Sequence, residues 1–292
     1  MIVRELLAAV AEKLKGLRVE QAVIGLAYTG ILLSDGGCGL AATPPEGGCA
    51  AFAEAGTLAG RSAWEFAQGL LSADPLLSAL GLATVNAVLA AEFPAQNVDP
   101  LEALAVGKED AVGMVGHIGP LVRPLRECAR ELLIFERDPH RHSPGILPDW
   151  AAEWELPRCN VVFLSGTTFI NKTVDHLLSL CQGRVAVIGP STPLWPGLLS
   201  RGVDWLFGAR VRDPELTLRV VAEGGGTQAL FRHGVAKAAL GCSRADERAE
   251  GTTSRISRAD QGTDLEAPTK RRAFEDVRRP WSRGQWTGTH GP

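Results

Sequence analysis

The sequence predicts an α/β protein, a C-terminal domain built on a parallel sheet and preceded by a smaller α+β domain. From about residue 108, short apolar runs alternate with helical patterns, which is how a parallel sheet covered on both faces reads. Three of those runs end in glycine turns with polar tips: Gly113-Met114-Val115-Gly116-His117-Ile118-Gly119-Pro120, Gly166-Thr167-Thr168-Phe169-Ile170-Asn171-Lys172-Thr173, and Gly189-Pro190-Ser191-Thr192-Pro193. Before residue 105 a helix, a hairpin pattern and further helices follow one another, without the strand–helix alternation.

In chain order, Val3, Leu6, Leu7, Val10 and Leu14 recur at helical spacing and predict a helix over residues 2–15, closed by Gly16. Residues 18–33 predict a hairpin with its turn near Thr29-Gly30. Residues 34–61, rich in Gly, Pro and Ala, predict a long loop with room for one further strand. Ser62 opens a helix over 63–71, and Asp74-Pro75 opens another reaching residue 91, since proline suits the first helical turn. A linker is expected over 93–104. Strands are expected at 111–116, 131–136, 160–165, 185–189 and 203–207, and helices at 120–130, 149–154, 168–181, 194–200 and 213–222. A short strand near 228–231 and an apolar piece at 235–240 complete the pattern. Domains are therefore expected at 1–95 and 105–242. Residues 243–292 hold few core-forming side chains and predict a disordered tail, with Lys270-Arg271-Arg272 solvated.

Composition excludes some functions. Of 292 residues 45% are hydrophobic, which suits a globular core, and a net charge of −3 provides no attraction for nucleic acid or a membrane surface. No apolar run reads as a bilayer span and the start lacks a secretory pattern, so a cytoplasmic location is expected. The six cysteines form no C-x-x-C pair and read as reduced, mostly buried thiols; Cys38 and Cys49, in glycine-rich loops, are the two with a claim as metal ligands. No G-x-S-x-G elbow, Walker loop, H-E-x-x-H or G-x-G-x-x-G is present, so no catalytic residue can be assigned and NAD is not expected.

The motifs also form a recognisable set. The Gly113 to Leu121 stretch resembles G-x-V-G-H-F-x-P-L, Phe135-Glu136-Arg137-Asp138-Pro139 resembles E-R-x-P, and Leu156-Pro157-Arg158-Cys159-Asn160-Val161-Val162 resembles the L-P-x-A-D-V-V that leads into T-G-T-T-x-x-N-x-T. With Gly189-Pro190-Ser191-Thr192-Pro193 for G-P-S-x-P, they are similar to the bacterial and archaeal family DUF364, described as a heavy-metal chelation domain. Gly25-Leu26-Ala27-Tyr28, Gly39-Leu40-Ala41 and Leu82-Ala83-Thr84-Val85-Asn86-Ala87 are similar to its usual N-terminal companion, DUF4213. The resemblance spans about residues 1–240 and implies an enolase N-terminal-like domain joined to a Rossmann-like domain, with a site between them. Asn160, Ser165 and Ile118 depart from the commoner Asp, Thr and Phe.

A crevice at the C-terminal edge of a parallel sheet is the expected ligand site. Its candidate residues are Gly116, His117 and Gly119 on the first turn, Glu136 at the next strand end, and Thr167, Thr168, Asn171 and Thr173 on the second turn. Gly189, Pro190, Ser191 and Thr192 on the third turn and Asn86 from the N-terminal domain complete the set. One of Thr167 and Thr168 is expected to cap the following helix, Asn171 to lie in its first turn, and Lys172 to be solvated. His117 is the expected metal ligand, for a divalent or heavy metal ion; His140 and His142 form a weaker H-x-H pair. The leading reading is a protein that binds a metal or a metal-related small ligand. The alternatives are an enzyme with an S-adenosylmethionine- or nucleotide-like cofactor and a structural partner of a transporter or metalloenzyme; self-association, as a homo-oligomer, is compatible with all three.

Overall fold

Local signals account for most of the elements in the structure, a computed structural model that describes residues 1–45, 52, 54–141 and 143–241. The first helix, α1 (Ile2–Leu14), buries the apolar stripe Ile2, Val3, Leu6, Leu7, Val10 and Leu14. Strands β1 (Val19–Ile24), β2 (Tyr28–Leu33) and β3 (Cys38–Ala42) form an antiparallel sheet in that order. The hairpin turn is at residues 25–27, closed by the Gly25 N–H on the Tyr28 carbonyl, and not at Thr29-Gly30 as expected. Thr29 and Gly30 are strand residues instead. Thr29 is buried and its hydroxyl bonds Thr43, while Gly30 leaves room for Leu218, whose Cδ2 would lie 2.5 Å from an added Cβ.

Helix α2 (Ala63–Gln68) continues as a 3₁₀ turn, Gly69–Leu71. Helix α3 (Pro75–Leu89) is opened by Asp74, whose carboxylate accepts from the Leu76 and Leu77 N–H groups. Every residue from Ser78 to Leu89 is buried, so α3 is the central helix of the fold. The stretch Pro75–Glu92 is long and apolar enough to cross a bilayer, contrary to the sequence expectation, and 72% of it is buried inside the protein. The expected linker contains a short helix, α4 (Pro100–Ala103), capped by Asp99.

The second sheet begins with β4 (Ala111–Val115), α5 (Gly119–Cys128), β5 (Glu131–Glu136), β6 (Ile146–Pro148) and α6 (Ala152–Glu155). It continues with β7 (Val161–Ser165), α7 (Val174–Leu180), β8 (Arg184–Ile188), β9 (Trp205–Val211), α8 (Pro214–Ala222), α9 (Thr227–Arg232) and β10 (Val235–Gly241). The order is β10-β9-β8-β7-β4-β5-β6, parallel throughout except for β10. The chain therefore grows outward from β4 in one direction and from β7 in the other, which makes the gap between the β4 and β7 tips the topological switch point. Alternate strand residues face opposite ways. Val162, Leu164, Val185, Val187 and Leu206 join a core shared with α1 and α3, while Val161, Phe163, Ala186 and Phe207 join one shared with α5.

Four further expectations need correction. Residues 228–231 are helical, within α9, where the Leu230 N–H bonds the Gly226 carbonyl and Leu230 is buried. The edge strand β6 went unpredicted because it is three residues long and ends in proline. The 194–200 helix is a 3₁₀ run, Pro196–Arg201. The 168–181 helix is broken: a 3₁₀ turn covers Gly166–Phe169 and α7 starts only at Val174, because Lys172 takes a left-handed φ of 61°. The expected tail at 243–292, Cys49, Cys242 and His142 lie outside the described residues.

Candidate functional site

The tips of β4, β5, β7 and β8 carry nearly all the residues singled out from the sequence. At the end of β4 the chain must turn sharply, and Gly116 makes the turn at φ 86°. A side chain there would bring Cβ within 2.9 Å of the Ser165 Cβ, so this glycine also lets the β4 and β7 tips close on each other. His117 follows, with its imidazole exposed, and Gly119 begins α5.

Glu136 holds this corner together. It is buried at 8% exposure, and its carboxylate accepts the His117 N–H at 3.0 Å on one oxygen and the Arg137 and Asp138 N–H groups at 2.8 and 3.0 Å on the other. Such charge-assisted bonds to backbone are the strong kind. The side chain that a dinucleotide fold would offer to a ribose is here engaged by the protein's own main chain.

At the β7 tip, Ser165 Oγ accepts from the Thr167 N–H at 3.3 Å and from the Thr167 hydroxyl at 2.9 Å. The Thr168 hydroxyl is turned inward onto the Ser165 carbonyl at 2.8 Å. Neither threonine caps α7; Thr173 occupies the cap position and makes no side-chain cap bond. Asn171 lies before the helix, exposed, with Oδ1 accepting from the Thr173 N–H and hydroxyl at 3.1 and 2.7 Å. Lys172 is not solvated as expected. Its Nζ donates to the Ser72 carbonyl, the Ser78 hydroxyl and the Ile170 carbonyl at 2.5, 2.9 and 2.9 Å. Burial lowers its pKa, and the nearby Asp74 charge opposes that.

The third turn faces the other way. Gly189 leaves β8 at φ 122°, and Pro190, Ser191 and Thr192 are all buried. The Ser191 hydroxyl accepts the Ala42 N–H at 2.8 Å, and the Ser191 carbonyl accepts the Asn86 amide at 3.3 Å. That amide also donates to the Leu40 carbonyl at 2.9 Å, so the orientation of Asn86 is set by two acceptors. Its Oδ1 and the Thr192 hydroxyl are left buried without a protein partner. The structure thus sorts the candidates into two groups. Gly116, His117, Gly119, Glu136 and Thr167 gather at the switch point, whereas Ser191, Thr192 and Asn86 form a packed seam between α3, β3 and the β8 tip. Asn171 and Thr173 lie on the loop outside both.

No group of three His, Cys, Asp or Glu able to hold a metal occurs among the described residues. Burial raises the Cys38 thiol to about 12, Cys181 to about 12 and Cys159 to about 11, so none offers a thiolate at neutral pH. His117 supplies one imidazole, and the Glu136 carboxylate, which accepts the His117 main-chain N–H, is taken up by backbone N–H groups. The described residues of one chain do not by themselves make a metal centre. An open surface depression of about 410 Å³ lies at the start of α9, lined by Gly226, Thr227, Gln228, Ala229 and Arg232, none of them a candidate from the sequence. The residue that sequence reasoning undervalued is Lys172; its only trace in the sequence is its place inside the polar turn.

Residues 99–240 match the family model DUF364 and residues 7–89 match DUF4213, both described as "Putative heavy-metal chelation". An uncharacterised protein of Methanocaldococcus jannaschii is 29% identical over 162 residues, which is 53% of this chain and 62% of that protein. The crystal structure of a DUF364 protein of unknown function from Desulfitobacterium hafniense DCB-2 superposes with a TM-score of 0.71 at 25% identity, covering 82% of this chain and 98% of that one. One from Pyrococcus horikoshii, also of unknown function, gives 0.71 at 23% identity over 83% of this chain and 100% of that one, a likeness of fold.

Proposed function

We propose, from the premise that this chain belongs to the DUF364 family and carries a DUF4213 region ahead of it, that it binds a polar, metal-related small ligand at the tips of β4, β5 and β7. The observation that carries this is the switch point itself, where the Gly116 turn closes the β4 tip, which carries the exposed His117, onto Ser165 of the β7 tip, whose hydroxyl bonds Thr167. Chelation needs two or more donors, and His117 is one. On this reading the metal arrives with donors of its own, as a preformed complex, and His117 adds a single bond to it. The N-terminal region meets the neighbouring β8 tip through α3 and β3, where the Asn86 amide and the Ala42 N–H both donate to Ser191.

Native mass spectrometry of the purified protein for a retained ligand, with elemental analysis of the same sample, tests this reading. A thermal-shift panel of free divalent ions against metal complexes then separates the two forms of ligand. The expected result is stabilisation by a complex that His117→Ala abolishes, with little effect of free ions. Absence of any His117-dependent response would defeat the proposal. A second reading, a nucleotide-like or S-adenosylmethionine cofactor, draws on the doubly wound strand order and the acid at the end of β5. Stabilisation by S-adenosylmethionine and by no metal complex would favour it, although the engagement of Glu136 by three backbone N–H groups argues against a ribose there.

A further inference from the structure

Lys172 combines three features that no structural role for the β7–α7 turn requires together. It is one of two non-glycine residues with positive φ among the described residues, the other being Ala105. An ammonium has three protons to donate, and all three are used, on Ser72, Ser78 and Ile170. Two of those acceptors lie about a hundred residues away, on either side of the bend between the Gly69–Leu71 turn and α3. Ser78, fully buried, also donates to the Ile170 carbonyl at 2.8 Å, so that one carbonyl receives both side chains. A strained backbone angle persists only where its surroundings over-determine it, and such angles cluster at functional loops. The strained residue sits between Asn171 and Thr173, on the turn that presents Thr167.

We infer that Lys172 is a positioning residue: its ammonium latches the 166–173 turn to the bend before α3, so that the N-terminal region sets the form in which this turn meets a ligand. The relevance to ligand rests on the reading above, but the latch itself does not, and it is tested without one. Hydrogen exchange read by mass spectrometry on the full chain compares wild type with Lys172→Met, Lys172→Gly and Ser78→Ala. Lys172→Met should speed exchange across 166–173 on the order of 10-fold while β8 and β9 peptides stay unchanged. Ser78→Ala should act in the same direction and more weakly. Lys172→Gly should recover thermal stability relative to Lys172→Met, because glycine accepts the angle, yet leave the turn fast. That split separates a latch from general support. Wild-type exchange over 166–173 in Lys172→Met, a uniform rise across the sheet, or restored protection in Lys172→Gly would overturn the inference. Should Lys172→Met fail to fold, the comparison of Ser78→Ala with wild type decides it by the same peptides.

Discussion

Replacing Asn86 by Asp tests whether the seam between α3, β3 and the β8 tip is as dry as its geometry says. Asn86 is 4% exposed and donates to two carbonyls, at 2.9 Å to Leu40 and 3.3 Å to Ser191. A neutral carboxyl can return one of these bonds and loses the other, about 1 kcal/mol, with a further ~1–3 kcal/mol for the carbonyl left bare. The ionised form returns neither and places charge against two carbonyl oxygens, so folding raises the pKa of the introduced group above its unfolded value of about 3.9. The sign follows from that: the variant is least handicapped below that value, and its deficit grows as pH rises towards the folded pKa, by at most about 1.4 kcal/mol per pH unit. Urea unfolding of both proteins at pH 5.5 and 7.5 reads the effect, and the gap should widen by up to ~2.7 kcal/mol across those two units. Parallel stability curves, or a variant as stable as wild type at pH 7.5, would show that water reaches this amide and that the seam is open.

Glu136→Gln removes the charge that accepts three backbone N–H groups and turns an amide NH₂ toward one set of them; a loss of about 2–3 kcal/mol in urea unfolding is expected. Gly116→Ala imposes a side chain at φ 86° against Ser165, and should lower the melting temperature by several degrees, at ~2–4 °C per kcal/mol for a chain of this size. Cys38, Cys159 and Cys181 should resist a thiol reagent at pH 8 in the native protein, since each is raised to about 11 or 12 and stays protonated there, and should all react on unfolding.

The strand–helix alternation after residue 108 and the capping of α3 by Asp74-Pro75 were legible because both are local: period, cap and proline position. What escaped the sequence was set by partners distant in the chain. Thr29-Gly30 reads as a turn until Leu218 is seen to fill the space over Gly30 and Thr43 to bond Thr29. Residues 168–173 read as helix until Lys172 is seen to reach back to Ser72 and Ser78. In the candidate site, polarity and position at a strand end could be read, but the direction of each side chain could not. Ser191 and Thr167 look alike in sequence, and only contact with Ala42 turns one of them inward. The departure Asn160 lies at the opposite end of the sheet, where it bonds Asp110 and the Ala111 N–H, so it bears on the β4–β7 register and not on the crevice.

The chelation named for the family and the donors seen at the strand tips can be reconciled in few ways. Soft metals prefer thiolate, yet burial raises the Cys38, Cys159 and Cys181 thiols so that they stay protonated at neutral pH, and Cys159 and Cys181 pack against the larger core. The Glu136 carboxylate, which accepts the His117 N–H, already serves the backbone, and the Asp138 side chain accepts the His140 N–H. One imidazole remains, exposed at the switch point, which is the coordination that a metal complex with one open position would need from a protein. Donors brought by a ligand or by a second copy would each complete the set. They predict different stoichiometries. A ligand-borne metal gives one metal per chain together with one organic mass, and His117→Ala releases both. A second copy gives one metal per two chains, and His117→Ala then releases metal with no organic mass. Metal-to-protein ratio and retained mass, measured together on one preparation, decide among them.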